Sequence, residues 1–206
     1  MWPRDTLVPC ILSAVCSAGV MWVGPVHADT FVRRDIITDP APGRFSVCSE
    51  HTCHKMTQVS LTPAQWQQVR NQFSPLAESA ADERVHIARA IALMETLVGP
   101  LAGTANDKGR NFKGVGIEGQ MDCIDESTNT TSYLMMMAQD GLITRHSVED
   151  RVTRGYFIFG WPHTTAVIRD HATGERFAVD SWFIDNGEPP FMLPLPVWQD
   201  GWEPTP

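Results

Sequence analysis

The sequence predicts an α+β fold in one domain, with helices first and strands after them. Between residues 61 and 139, apolar side chains recur at helical spacing behind recognisable N-terminal caps. After Gly141 the chain turns to short runs of β-branched and aromatic residues divided by turn signals. At the junction stands Cys123, within Gly119-Gln120-Met121-Asp122-Cys123-Ile124-Asp125-Glu126, where the third helix begins. The N-terminal helices and the cysteine-bearing helix are expected to pack on an antiparallel sheet.

Residues 1–28 read as a cleavable export signal. Arg4 supplies the positive start, Leu7 to Val23 an apolar run, and Val26-His27-Ala28 a small-residue end. The run is short and no stop-transfer charges follow, so no membrane span is expected after cleavage. The protein is then periplasmic or extracellular, with residues 29–206 as one domain. Cleavage removes Arg4 and Asp5, which leaves the net charge at −8. No basic cluster remains to track phosphates, which argues against nucleic acid as a partner.

Cys10 and Cys16 leave with the signal, so Cys48, Cys53 and Cys123 remain. Residues 29–60 are expected to form an extended arm holding Cys48-Ser49-Glu50-His51-Thr52-Cys53-His54. That motif admits a metal site, a stretched haem-attachment motif or a small disulfide loop; the oxidising environment of an exported protein favours the disulfide. Cys123 is then left over as a free thiol.

Thr62-Pro63-Ala64-Gln65 is a capping box with proline at the first helical position, and the helix should run to about Phe73. A second helix should run from near Ser79 to Val98, with Glu95 at the edge of its apolar face. Residues 99–119 form a glycine-rich loop leading straight to Cys123. The third helix should run from Asp122 to about Gln139, with Asp122 as N-cap and Ile124, Thr128, Thr131, Leu134, Met135 and Ala138 near one face. Asn129-Thr130-Thr131 matches a glycosylation signal but falls inside that helix. Beyond a connector containing His146, strands are expected at Arg154–Phe159, His163–Arg169 and Glu175–Phe183. Asp170 to Gly174 closes a hairpin, and the Pro- and Trp-rich tail, 188–206, is expected as irregular coil.

A cysteine nucleophile needs a base and a group to orient that base. Of seven histidines, His163 alone opens an apolar strand, directly after Pro162, and shares its face with Trp161 and Thr165. Asp180 lies inside the next apolar strand, where an unpartnered carboxylate would be costly. With Arg169 opposite Gly174, His163 faces Asp180 directly. Trp161 and Trp182 would flank the pair and limit water.

The order Cys…His…Asp, with the cysteine on a helix and its partners on the next two strands, resembles the transglutaminase-like branch of the papain-like superfamily. It is most similar to exported bacterial transglutaminase-like cysteine proteinases, over about residues 115–187. The resemblance implies a papain-like core, with Cys123 as nucleophile, His163 as general acid and base, and Asp180 as orienter. The N–H of Cys123 and the side chain of Gln120 are the implied oxyanion donors. Met121 departs from the small residue usual two before the cysteine, and Thr165 from the bulky one often two after the histidine. Some relatives bind calcium near the cysteine. Asp122 and Asp125 are weak candidates for it, but Ile124 occupies a ligand position and capping explains both acids, so no cofactor is expected. The expected function is hydrolysis of a peptide or isopeptide amide in a protein or peptide substrate, through a thioester. The alternatives are a cell-wall peptide amidase or endopeptidase, an acyl-transferring crosslinker, and a non-catalytic binding module on the same fold.

Overall fold

The computed structural model describes residues 28, 32–112, 114–155 and 162–205. The expected export signal, apart from Ala28, lies outside these residues, as do Trp161 and the 156–159 part of an expected strand. The described chain is mixed α and β. In order it comprises β1 (Phe45–Ser49), β2 (Lys55–Val59), α1 (Pro63–Asn71), α2 (Ala80–Ala102), α3 (Cys123–Gln139), β3 (His146–Arg154), β4 (His163–Asp170), β5 (Arg176–Asp180), β6 (Phe191–Pro194) and α4 (Leu195–Gln199). β1 and β2 pair as an antiparallel hairpin, and the other four strands form an antiparallel sheet in sequence order.

The helix starts follow their capping chemistry. Thr62 and Gln65 form a reciprocal capping box on α1, and Ser79 and Asp82 form another on α2. α2 does not stop at Val98 as expected. It continues past Pro100 to a left-handed Gly103, φ 81°, whose N–H bonds the Gly99 carbonyl. α2 is long and apolar enough to span a membrane, yet its Ile87, Ala90, Ile91, Met94 and Val98 are buried in the core against α3, β1 and the sheet.

α3 differs most from its expected amphipathic form. Every residue from Asp125 to Met137 is buried. A helix this rich in Ser and Thr can be surrounded because its hydroxyls bond back one turn: Thr128 to Ile124 O at 2.6 Å, Thr131 to Ser127 O at 2.7 Å, and Ser132 to Thr128 O at 3.1 Å. Asn129 is buried too. Its amide clamps Cys48 of β1 at both ends, accepting from the N–H at 2.8 Å and donating to the carbonyl at 2.9 Å.

The arm and the tail are more regular than expected. The arm holds the β1–β2 hairpin, with β1 buried along its length. The tail forms edge strand β6, where prolines are tolerated, and then α4. The region around His146, expected as a connector, is strand β3. Its charges disguise it: Glu149 is an ion-pair partner of Arg169 on β4 and Arg176 on β5. The main core lies between α2, α3, β1 and one sheet face; α4 covers the other face, where Val167, Ala178, Leu195 and Trp198 pack together.

The β4–β5 register corrects the expected one. Arg169 pairs with Arg176, not Gly174, and Ala166 with Val179. The loop is longer because Asp170 organises it: its carboxylate accepts from Ala172 N at 2.8 Å, and its N–H reaches Glu175 O at 2.9 Å. Extending this register puts Thr165 opposite Asp180, so His163 and Asp180 are diagonal neighbours.

Behind α3 lies a group of buried acids with no cation among them. Asp107 accepts from Met121 N at 2.6 Å and shares a hydrogen bond with Glu126, and Glu95 accepts from Gly187 N at 2.8 Å. Burial pushes Glu95 up to about 8 and Asp107 to about 6, and raises Glu126 well above its usual range. These groups hold protons in the folded protein that the unfolded chain releases near pH 4, so their contribution to stability is lost as pH rises through 5 to 8. In urea titrations, stability should fall between pH 5 and 8 with a slope on the order of 1 kcal/mol per pH unit. Glu126→Gln should flatten that slope; a slope unchanged in this variant would refute the assignment.

Candidate active site

The site is built at the N-terminus of α3. Asp122 caps the helix, its Oδ1 accepting from Ile124 N at 3.0 Å and Asp125 N at 2.9 Å. Asp125 returns the bond, accepting from Asp122 N at 3.2 Å. The remaining oxygens face the disulfide loop. Cys48 and Cys53 are bonded to each other, and the chain between them turns left-handed at four consecutive residues, Glu50 to Cys53, with φ from 54° to 65°. Three N–H groups of that turn then point one way: His51 and Cys53 donate to Asp125 at 2.8 and 2.6 Å, and Thr52 donates to Asp122 at 2.9 Å.

These bonds bear on the metal readings. Cys48, Cys53 and Asp125 are the one group of His, Cys, Asp or Glu side chains among the described residues close enough to share an ion. There the sulfurs are spent on the disulfide. All four carboxylate oxygens of Asp122 and Asp125, the calcium candidates, accept backbone N–H groups, as caps do.

Cys123 occupies the first position of α3, half-buried and unoxidised. Its sulfur lies 4.0 Å from the Pro162 carbonyl oxygen. Burial first, and then the charges of Asp122 and Asp180, push its thiol up to about 11. On its own, then, on the order of one thiol in ten thousand is ionised at pH 7. A nucleophile here needs a base at the moment of attack.

His163 is placed for that role. Its Nε2 is 2.7 Å from Asp180 Oδ2, with both residues buried. Nδ1 has no hydrogen-bond partner among the described residues. By strand parity, the pair lies on the same sheet face as Val167 and Ala178, the face that α4 covers. From α4, Trp198 donates Nε1–H to the same Asp180 oxygen at 2.7 Å, and the N–H of Trp182 reaches Oδ1 at 3.2 Å. The imidazole is enclosed by aromatic rings at centroid distances of 4.9 Å (Trp182), 5.2 Å (Phe183) and 5.4 Å (Trp198). Arg154 seals this layer from outside, over the Trp198 ring at 4.5 Å and bonded to the Trp198 carbonyl.

Cys123, His163 and Trp182 line one cleft of about 480 Å³, with Asp180 directly behind His163. Gln120 is not among the lining residues. Its Nε2 donates to Asn106 O at 2.8 Å, and its Oε1 receives Lys108 N and the Asn111 amide, so it faces the 106–111 loop and is not brought to the oxyanion position expected of it. Asn111, which Gln120 holds, does line the cleft. A Cβ at Gly114 would sit 2.2 Å from the Asn111 amide, so a larger residue there would push that side chain out of its present place. The N–H of Cys123 lies against its own sulfur, as does that of Thr164. His51, Arg154, Asp200 and Glu203 also line the cleft. The sequence offered no sign of these residues, nor of Asn111 and Trp198, because each arrives by tertiary contact from a loop, a strand end or the tail. Compared with known proteins, the chain matches no family model, no curated protein and no solved structure.

Trp198→Phe keeps the ring and removes the N–H. Alkylation of Cys123 by iodoacetamide at pH 7 should slow about tenfold, since a hydrogen bond to a charged group is worth about 1.5–3 kcal/mol. The less hydrogen-bonded Asp180 would hold the imidazolium more tightly, so the acid limb of the pH–rate profile should move to higher pH. An unmoved profile would reduce Trp198 to packing.

Proposed function

We propose that this protein is an exported thiol hydrolase that cleaves a peptide or isopeptide amide, on a papain-like core of the transglutaminase-like kind. The observation that carries the proposal is the buried His163–Asp180 pair, 2.7 Å apart, in a cleft shared with a free cysteine at a helix N-terminus. A buried Asp, itself held by the N–H groups of Trp182 and Trp198, holds one edge of an imidazole and leaves the other nitrogen for proton transfer. The intramolecular disulfide is compatible with export.

In this reading His163 takes the Cys123 proton as the sulfur attacks the amide carbonyl. The tetrahedral oxyanion is met by the N–H of Cys123 and the amide of Asn111, and the positive end of α3 favours that charge. The C–N bond then breaks, and His163 delivers its proton to the departing amine. Water, deprotonated by His163, attacks the thioester; the C–S bond breaks, the acid is released and the thiol is restored. Asp180 and Trp198 hold the imidazole throughout without exchanging protons with substrate.

Digestion of a denatured protein mixture, read by mass spectrometry of new termini, tests this directly. The wild type should generate new amine termini, and Cys123→Ala should generate none. Rapid acid quenching should trap an acyl adduct on Cys123 that hydroxylamine removes. New termini at equal yield from Cys123→Ala would refute the proposal.

A further inference from the structure

The walls of the cleft differ sharply in chemistry. One is apolar. Phe112 and Val115 line it while keeping 60% and 74% of their surface exposed, and Ile117, two residues on, keeps 52%. Isolated exposed apolar residues need no explanation, but a contiguous group beside a cleft marks a binding surface. These side chains are held open rather than collapsed. The loop carrying them is anchored by Arg110 N–H to Trp182 O at 2.8 Å and by Gly109 N–H to Asp185 at 3.0 Å. Phe112 stands edge-on to Trp182, centroids 4.7 Å apart, and Trp182 touches His163. An unbroken apolar surface therefore runs from the imidazole to solvent.

The second wall is acidic. Asp200 and Glu203, both exposed, line the cleft from the segment after α4. Asp200 makes no ion pair among the described residues. The one cation among the described lining residues, Arg154, is held by the Trp198 ring and carbonyl and lies in the fields of both Asp180 and Glu203, which leaves Asp200 as the acid it does not match. The whole chain carries −8, so nothing in its overall balance offsets this wall.

Resting on the thiol-hydrolase reading above, we propose that the cleft takes an extended protein segment rather than a cell-wall peptide. Its substrate carries a large apolar side chain beside the cleaved bond and a basic side chain next to it. The apolar group gains by covering the Phe112–Val115 surface, and the cation gains from Asp200 and Glu203. Cell-wall stem peptides offer no large apolar side chain, so they leave the first wall unused.

The test uses three peptidyl chloromethyl ketones, acetyl-capped Lys-Leu, Lys-Ala and Glu-Leu. Each is attacked at its methylene carbon by the Cys123 sulfur with loss of chloride, and adduct formation on the full protein is followed by mass. The Lys-Leu probe should react about tenfold faster than each of the others, the scale expected for pocket discrimination. Within-variant ratios cancel changes in thiol reactivity. Phe112→Ser with Val115→Ser should erase the Leu-over-Ala ratio, and Asp200→Asn with Glu203→Gln should erase the Lys-over-Glu ratio. Equal rates that exceed that of free cysteine, or ratios that survive the variants, overturn the specificity alone. Equal rates no faster than free cysteine overturn the catalytic reading with it.

Discussion

The structure depends on one contact at the start of α3: the side chains of Asp122 and Asp125, the latter pushed up to about 8 by burial and by the Asp122 charge, against the N–H groups of the left-handed turn in the disulfide loop. Four consecutive non-glycine residues at positive φ are costly, on the order of 1–2 kcal/mol each. Three N–H bonds to these side chains and the Cys48–Cys53 link offset that cost. The arrangement ties the β1 hairpin to the first turn of α3, and Asn129 repeats the tie one turn further in. Cys123 sits between these clamps. Its place at the cleft follows from that backbone geometry, and its sulfur meets the start of β4 at the Pro162 carbonyl.

The second half of the site is held by an element from the other end of the chain. α4 is only five residues long, yet it buries Trp198 against β5 and satisfies an aspartate that the sheet alone would leave short of donors. His163 is then fixed by a charged oxygen on one edge and aromatic rings around it. The α3 and α4 sides thus meet across one sheet, with the thiol supplied from the first and the oriented base supported by the second.

Much of this was legible in the sequence, and the reasons for the rest are specific. The capping box at Thr62 and the N-cap at Asp122 announced their helices because the cap is local chemistry. The lone thiol at a helix start, with a histidine and an aspartate on apolar strands, pointed to one site for the same reason. The His163–Asp180 register was misplaced by two residues, because Asp170 builds a longer turn than the glycine suggests. β3 was hidden by charges that are paired only after folding. Gln120 looked like an oxyanion donor by its position, but its amide faces the 106–111 loop and orients Asn111 instead. Trp198 could not be foreseen, since a proline-rich tail carries no signal of where it will dock.

The central claim is that His163 activates a thiol whose surroundings push it up to about 11. The most direct measurement is the rate of Cys123 alkylation by iodoacetamide as a function of pH, in the wild type and in His163→Ala. The account predicts wild-type alkylation at pH 7 at least about a hundredfold faster than in the variant, the usual scale of general-base help. It also predicts that the wild-type rate departs at neutral pH from the thiol's own ionisation curve, whereas the variant follows the thiol alone. Identical profiles rising only toward pH 11 would contradict it.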